Sequence, residues 1–398
     1  MPNTNHVKRA RRIAFVDQAD DVGGAEQSLM ELLPHLDRRR YQPLLLHTAG
    51  THWTDHAELA DVPRLPVLTP SPVLVAKREE LKPGLLASYD YLTASRRPVA
   101  ELRRAIIAQQ TDLVHTNALK SHLLGGLAAI LARVPLVWHV RDILTEPPAR
   151  KWLLQTARSV KPYVIAISEA VAAQFDPLRH VLRLRVIHNG IPLDKFRPGE
   201  PSPQLQSELG LDPEDEVVLV VGRLTPWKGH QTLLRAMQQV LAERPRARLL
   251  VVGTTTFWET SYERDLRELA EQLSVSGRVR WLGFRSDIAD LLRLCNVFVL
   301  PSINEPFGRA LVEAMATAKP VVAMRSGGVP EVMRDGICGH LIEPGRIGDL
   351  AGAISQLLAD RERAHAMGQN GWRRANRYFD IRRVAREVQD VYEEILGR

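Results

Sequence analysis

The sequence predicts an α/β protein built from two doubly wound parallel sheets in succession, closed by C-terminal helices. Three observations carry that prediction. Short apolar runs alternate with helical patterns along most of the 398 residues, as expected of parallel strands joined by crossover helices. The runs form two sets, separated by a proline-rich stretch. Glycine turns follow several runs, at the carboxyl strand ends where open sheets of this kind hold ligands.

The first set of strands is expected at Ile13–Val16, Pro43–His47, Leu113–Thr116, Leu136–Val140, Val164–Ile167 and Arg185–His188. Most are short and apolar, as strands buried on both faces are. The second set is expected at Val217–Val221, Leu249–Val252, Val279–Leu282, Val297–Leu300, Val321–Met324 and His340–Ile342. Between them, Phe196-Arg197-Pro198-Gly199-Glu200-Pro201-Ser202-Pro203 has the composition of a linker. After Leu350 the strand signals stop and helical periodicity takes over, ending at Ile381–Leu396. These signals give a first domain over 1–198, a second over 199–375 and a C-terminal helix over 376–398. Residues 70–100 are the hardest to read. Val73-Leu74-Val75 and Leu81 to Leu92 fit a core helix or a lipid surface, with the core favoured.

Composition narrows the function. The formal charge is +7 and the pI near 9.6. That suits acidic partners such as nucleoside diphosphates, anionic lipid surfaces or nucleic acid. No basic patch interleaved with aromatics is present, which argues against nucleic acid. Cys295 and Cys338 lack any Cys-x-x-Cys spacing, so a zinc site or disulfide framework is not expected and a reducing cytoplasm fits. Lys8, Arg9, Arg11 and Arg12 precede a run too short for a signal peptide. No stretch approaches the ~20 apolar residues of a membrane span, which leaves peripheral membrane contact as the only kind open.

Three glycine turns and two carboxylates carry the chemistry. Gly222-Arg223-Leu224-Thr225-Pro226-Trp227-Lys228-Gly229 follows a strand and leads into a helix near His230. Its glycines allow close backbone approach, and Arg223, Lys228 and the helix start favour a diphosphate. Gly-Lys-Ser/Thr and Gly-x-Gly-x-x-Gly are both absent, so neither a P-loop nor a dinucleotide fingerprint fits. Val22-Gly23-Gly24-Ala25-Glu26 precedes a helix expected at Gln27–Leu33, and Ser326-Gly327-Gly328-Val329-Pro330-Glu331 follows Val321–Met324. Either turn also fits a plain strand-to-helix connection. In Asn304-Glu305-Pro306-Phe307-Gly308-Arg309-Ala310-Leu311-Val312-Glu313, Glu305 is expected at a helix cap with Pro306 at its first position. Glu313 is expected about two turns further in, so that both carboxylates reach one polyhydroxylated ligand. His139, with Arg141 and Asp142, closes Leu136–Val140 and is a candidate for binding a sugar hydroxyl or stabilising positive charge. His115 and Asn117 form a weaker pair of the same kind, and Asn189-Gly190 fits a turn.

In this order, Gly23-Gly24-Ala25-Glu26, Asn189-Gly190-Ile191, Gly222-Arg223 with Lys228-Gly229, Glu305 with Glu313, and Pro320-Val321-Val322-Ala323 with Gly327-Gly328-Val329-Pro330-Glu331 resemble the retaining glycosyltransferases of family 4. That resemblance implies the GT-B fold, two Rossmann-like domains facing across a cleft with the last helix returning to the first domain. It also implies a nucleoside-diphosphate sugar as co-substrate, with no other cofactor and no metal. Arg223 and Lys228 would neutralise the leaving diphosphate, Glu305 would hold the donor sugar, and Glu313 the ribose hydroxyls. Gly24, Asn189, Gly222, Phe307 and Gly308 would line the nucleotide-sugar site, and His139 the sugar pocket. The acceptor's proton would pass to the departing phosphate, with Glu305 and His139 as other participants. The acceptor would be lipid-linked, an oligosaccharide or a small molecule, in cell-surface polysaccharide, glycolipid or other glycoconjugate synthesis. The sequence departs from the family at Ala318, where glycine is usual after the second glutamate's helix. A left-handed alanine there costs about 1 kcal/mol. Two alternatives remain: a nucleotide-sugar epimerase of the same fold, and a non-catalytic protein binding sugars or polyanions.

Overall fold

The computed structural model describes residues 9–19, 22–51, 53, 59–69, 85–255 and 260–397, with backbone alone for 85–93 and 260. Val73-Leu74-Val75 and Leu81 to Pro83 lie outside the described residues, as do the side chains up to Leu92. The chain folds as two compact units, Met1–Gly190 with Ile381–Arg398, and Ile191–Asp380.

The first unit holds a seven-stranded parallel sheet in the order β3-β2-β1-β4-β5-β6-β7. Its strands are β1 (Arg11–Asp17), β2 (Tyr41–Thr48), β3 (Arg64–Leu68), β4 (Leu113–Thr116), β5 (Leu136–Val140), β6 (Tyr163–Ala166) and β7 (Arg183–Val186). Strand β3 is absent from the sequence-based expectation. It is an edge strand, half-exposed and interrupted by Pro66, so it lacks the apolar run that marks a buried strand. Strand β7 ends at Val186, leaving His188 in the segment beyond.

The second unit holds a six-stranded parallel sheet in the order β10-β9-β8-β11-β12-β13. Its strands are β8 (Glu216–Val221), β9 (Ala247–Val252), β10 (Val279–Trp281), β11 (Val297–Leu300), β12 (Val321–Met324) and β13 (Gly339–Ile342). Val297 to Leu300 are all buried. Each such side chain contributes roughly 1.5–3 kcal/mol on leaving water.

The units divide at Gly190/Ile191 and Asp380/Ile381, not at the proline-rich linker or at residue 375. Hydrogen bonding explains the shift. Ile191 donates its N–H to the Phe379 carbonyl at 2.9 Å, and Arg293 donates to the Lys195 and Arg197 carbonyls. The residues just before the linker are therefore tied into the second unit.

The C-terminal helix, Ile381–Leu396, belongs to the first unit. Ile381, Val384, Ala385, Val388, Val391 and Tyr392 recur at helical spacing and join the core formed by β1, β2 and β4–β6. The Gln389 side chain accepts the Asp37 N–H at 2.8 Å, and Tyr392 meets His115 Nδ1 at 2.7 Å. Gly190 is needed for this packing, since a Cβ there would lie 2.6 Å from Ile381 Cα.

Candidate active site

Both sheets reverse their strand order once, and Gly24, Gly222, Arg223, Lys228 and Glu305 follow the strands that flank these reversals, whereas His139 lies on β5 and Asn189 beyond β7. In the second unit the chain runs outward over β8, β9 and β10, then returns to place β11 on the other side of β8. Ligands of open α/β sheets bind at such switch points. The loops leaving β8 and β11 carry Gly222 to Gly229 and Pro301 to Gly308.

Glycine geometry brings these two loops together. Gly229 has φ +75°, and a Cβ there would sit 2.0 Å from the Pro301 carbonyl oxygen. Ile303 donates its N–H to the Trp227 carbonyl at 2.8 Å. Gly222 packs against the Lys228 stem, with 3.5 Å from its virtual Cβ to Lys228 Cδ. Lys228 then reaches Glu305, Nζ to Oε2 2.8 Å, with side chains 17% and 8% exposed. The same ammonium lies 4.2 Å from the centre of the Trp227 ring, a favourable cation–π distance. Arg223 is exposed and has no ion pair among the described residues.

Glu305 is not a helix cap, contrary to expectation. The helix runs over Arg309–Ala316 and its cap is Gly308 at φ 91°, with Pro306 in the loop before it. The backbone around Glu305 is instead clamped by the third glycine turn. Gly328 donates its N–H to the Glu305 carbonyl at 2.8 Å, and Asn304 donates to Ser326 Oγ at 2.8 Å. Gly327 permits this approach, since a Cβ there would lie 2.1 Å from Glu305 O. Its φ of +59° also favours glycine.

Because the helix starts late, Glu313 sits one turn in, not two. Sequence reasoning missed its partner: Arg309 Nε meets Glu313 Oε1 at 2.8 Å, with both side chains largely buried. The i,i+4 spacing was the available signal. Phe307 turns its ring into the core, edge-on to Phe379 at 5.7 Å. Any ligand contact from Phe307 therefore falls to its backbone. Ala318 has φ 57°. Its N–H and that of Lys319 bond to the Met315 and Ala314 carbonyls, which completes a Schellman cap with alanine in the left-handed position.

In the first unit the switch lies between β1 and β4. The helix after β1 spans Gly24–Leu32, three residues earlier than expected, because Glu26 accepts the Gly23 N–H at 2.9 Å and closes the first turn. Gly24 is exposed, with open space where a Cβ would project. His139 and Asn189 are buried and converge on Arg141. The guanidinium donates from Nε to Asn117 Oδ1 at 2.6 Å and from Nη1 to Asn189 Oδ1, and Nη2 lies 3.3 Å from His139 Nδ1. Asn117 donates in turn to Asp17 Oδ2 at 3.0 Å. Asp17 escaped sequence reading; a carboxylate ending an apolar strand was the signal. Burial, then Glu26, pushes its carboxyl up to about 7, opposed by hydrogen bonds from Ala19 and Asn117. Burial, then Arg141, holds His139 well below the ordinary imidazole range.

The second unit matches the family "Glycosyl transferases group 1" over residues 202–374, and the first matches "Glycosyltransferase Family 4" over 22–195. A D-inositol 3-phosphate glycosyltransferase of Mycobacterium sp. (strain JLS) is 31% identical over 359 residues, 85% of this chain and 78% of the relative. The structure of Anabaena HepE in complex with UDP-glucose superposes with a TM-score of 0.80 at 29% identity, over 96% of this chain and 99% of that one. Sucrose-phosphate synthase from Thermosynechococcus elongatus shares the fold, with a TM-score of 0.80 at 23% identity over 97% and 99% of the two chains. The chain belongs to glycosyltransferase family 4 and is a glycosyltransferase of GT-B fold that uses a nucleotide sugar.

Proposed function

We propose that the enzyme transfers a hexose from UDP-hexose to an acceptor hydroxyl with retention of anomeric configuration, in glycoconjugate synthesis. The observation that carries this reading is the Lys228–Glu305 pair at the β8/β11 switch point, beside the Gly222 turn and the exposed Arg223. Arg223 and Lys228 supply positive charge where negative charge grows on the departing diphosphate. That is the kind of preorganised stabilisation that dominates such reactions. Lys228 exchanges Glu305 for phosphate oxygens when the donor binds, and Glu305 turns to the sugar hydroxyls. Glu313 holds the ribose. The UDP donor rests on likeness to HepE, which binds UDP and UDP-glucose. With two cations in place, turnover needs no metal and persists in EDTA.

The test is product analysis by NMR with a panel of UDP-, GDP- and ADP-sugars and hydroxylated acceptors. An α-linked product from an α-configured UDP-sugar is expected. An inverted linkage, or sugar isomerisation without any acceptor, would overturn the reading.

A further inference from the structure

Arg141 is a buried cation to which the transfer reaction assigns no role. It follows β5 and is 6% exposed. Through Asn117 it is joined to the ends of β4 and β1, and through Asn189 to the segment after β7. Asn117 also donates to the Ala25 carbonyl at 3.1 Å, inside the glycine-turn helix. One guanidinium thus links the carboxyl ends of four strands in the first unit.

The same group constrains His139. Arginine carries five N–H donors and no acceptor, and it stays charged. At 3.3 Å from Nη2, His139 Nδ1 therefore has to present its lone pair. A proton on Nδ1 would set N–H against N–H beside a fixed positive charge. The ring's single proton then belongs on Nε2, which has no hydrogen-bond partner among the described residues. Burial favours the neutral ring as well. Arg141 is accordingly the polar contact that orients this side chain, alongside the His115 ring at 5.3 Å.

We propose that Arg141 is a positioning residue that ties these strand ends into one frame and holds His139 as a neutral ring protonated on Nε2. Its bearing on catalysis rests on the reading of His139 as part of the donor-sugar pocket. In this state His139 gives a hydrogen bond and takes no proton, so it is not the base for the acceptor hydroxyl.

The test uses the full chain labelled with 15N-histidine, with the His139 signals assigned by their loss in His139→Asn. At neutral pH the wild type is expected to show the two-bond pattern of a neutral Nε2–H ring. Arg141→Lys keeps a donor-only cation and should keep that pattern. Arg141→Glu presents only acceptor oxygens and should put a proton on Nδ1. Turnover in Arg141→Glu should fall about 10²-fold, the scale of a small misplacement, with KM for the donor little changed. An Nδ1–H or charged ring in the wild type, or an unchanged pattern in a folded Arg141→Glu, overturns the proposal. A moved proton with full turnover upholds the positioning role and removes His139 from the sugar pocket.

Discussion

Lys228→Met separates the structural from the catalytic use of one charge. At 2.8 Å from Glu305, the gross attraction is about 6 kcal/mol at an effective dielectric near 20. Desolvation offsets much of this, and removing one partner of a buried pair costs roughly 3–5 kcal/mol. The two side chains retain 17% and 8% of their exposure, so the low end applies, about 3 kcal/mol. In a unit of this size that lowers Tm by roughly 6–12 °C. Turnover should fall by about 10²–10³ if Lys228 also stabilises the leaving diphosphate. The double variant Lys228→Met/Glu305→Gln distinguishes the two effects. The neutral glutamine side chain needs no counter-ion, so about 2 kcal/mol of stability should return. Turnover should stay low, because the cation is still missing and the Glu305 carboxylate is lost as well. Scanning calorimetry gives the first quantity, and nucleoside-diphosphate release from a UDP-sugar gives the second. Full turnover in Lys228→Met refutes the phosphate assignment. Turnover restored in the double variant means that Lys228 serves only to neutralise Glu305.

Glu305→Gln should lower kcat more than nucleotide affinity, whereas Glu313→Ala should chiefly weaken nucleotide binding in calorimetry; the reverse pattern overturns this division. Ala318→Gly should stabilise the second unit by about 1 kcal/mol, because glycine adopts φ 57° without a Cβ penalty, and an unchanged urea midpoint contradicts it. His230 is buried and held down to about 4, first by desolvation and then by Lys228. The folded state thus refuses a proton that the unfolded chain accepts below its ordinary value of 6.5. The stability is fully present above that value and is lost as pH falls toward 4, by up to roughly 3 kcal/mol. His230→Leu should flatten this slope in urea unfolding at pH 7 and pH 5, and an equally steep slope in the variant rules the histidine out.

Most of the frame was legible because buried parallel strands write themselves as apolar runs. Every run assigned as a strand overlaps one, although β7 ends at Val186, two residues short of the expected end, and Ile381–Leu396 was readable from its periodicity. β3 was not, since an edge strand carrying Pro66 and facing solvent has no such run. The ligand-side residues were legible as types at strand ends, but their partners were not. Nothing local announces that Lys228 meets Glu305, because the contact depends on β11 returning beside β8 and on Gly229 and Gly327 admitting close backbone approach. The misplaced helix start has the same cause. Pro306 is locally suited to a first helical turn, but the Gly327 turn binds the Glu305 backbone from outside and delays the helix to Arg309. Asp17, Asn117, Arg141 and Asn189 lie far apart in sequence, and only the sheet order gathers them.

The most direct measurement is a crystal structure of the enzyme with UDP bound. The diphosphate is expected against the Gly222 turn, its oxygens about 2.7–2.9 Å from the nitrogens of Arg223 and Lys228, and the ribose hydroxyls on Glu313. Lys228 should have left Glu305 for the phosphate. UDP bound away from the β8/β11 switch point, with the Lys228–Glu305 pair intact, would contradict it.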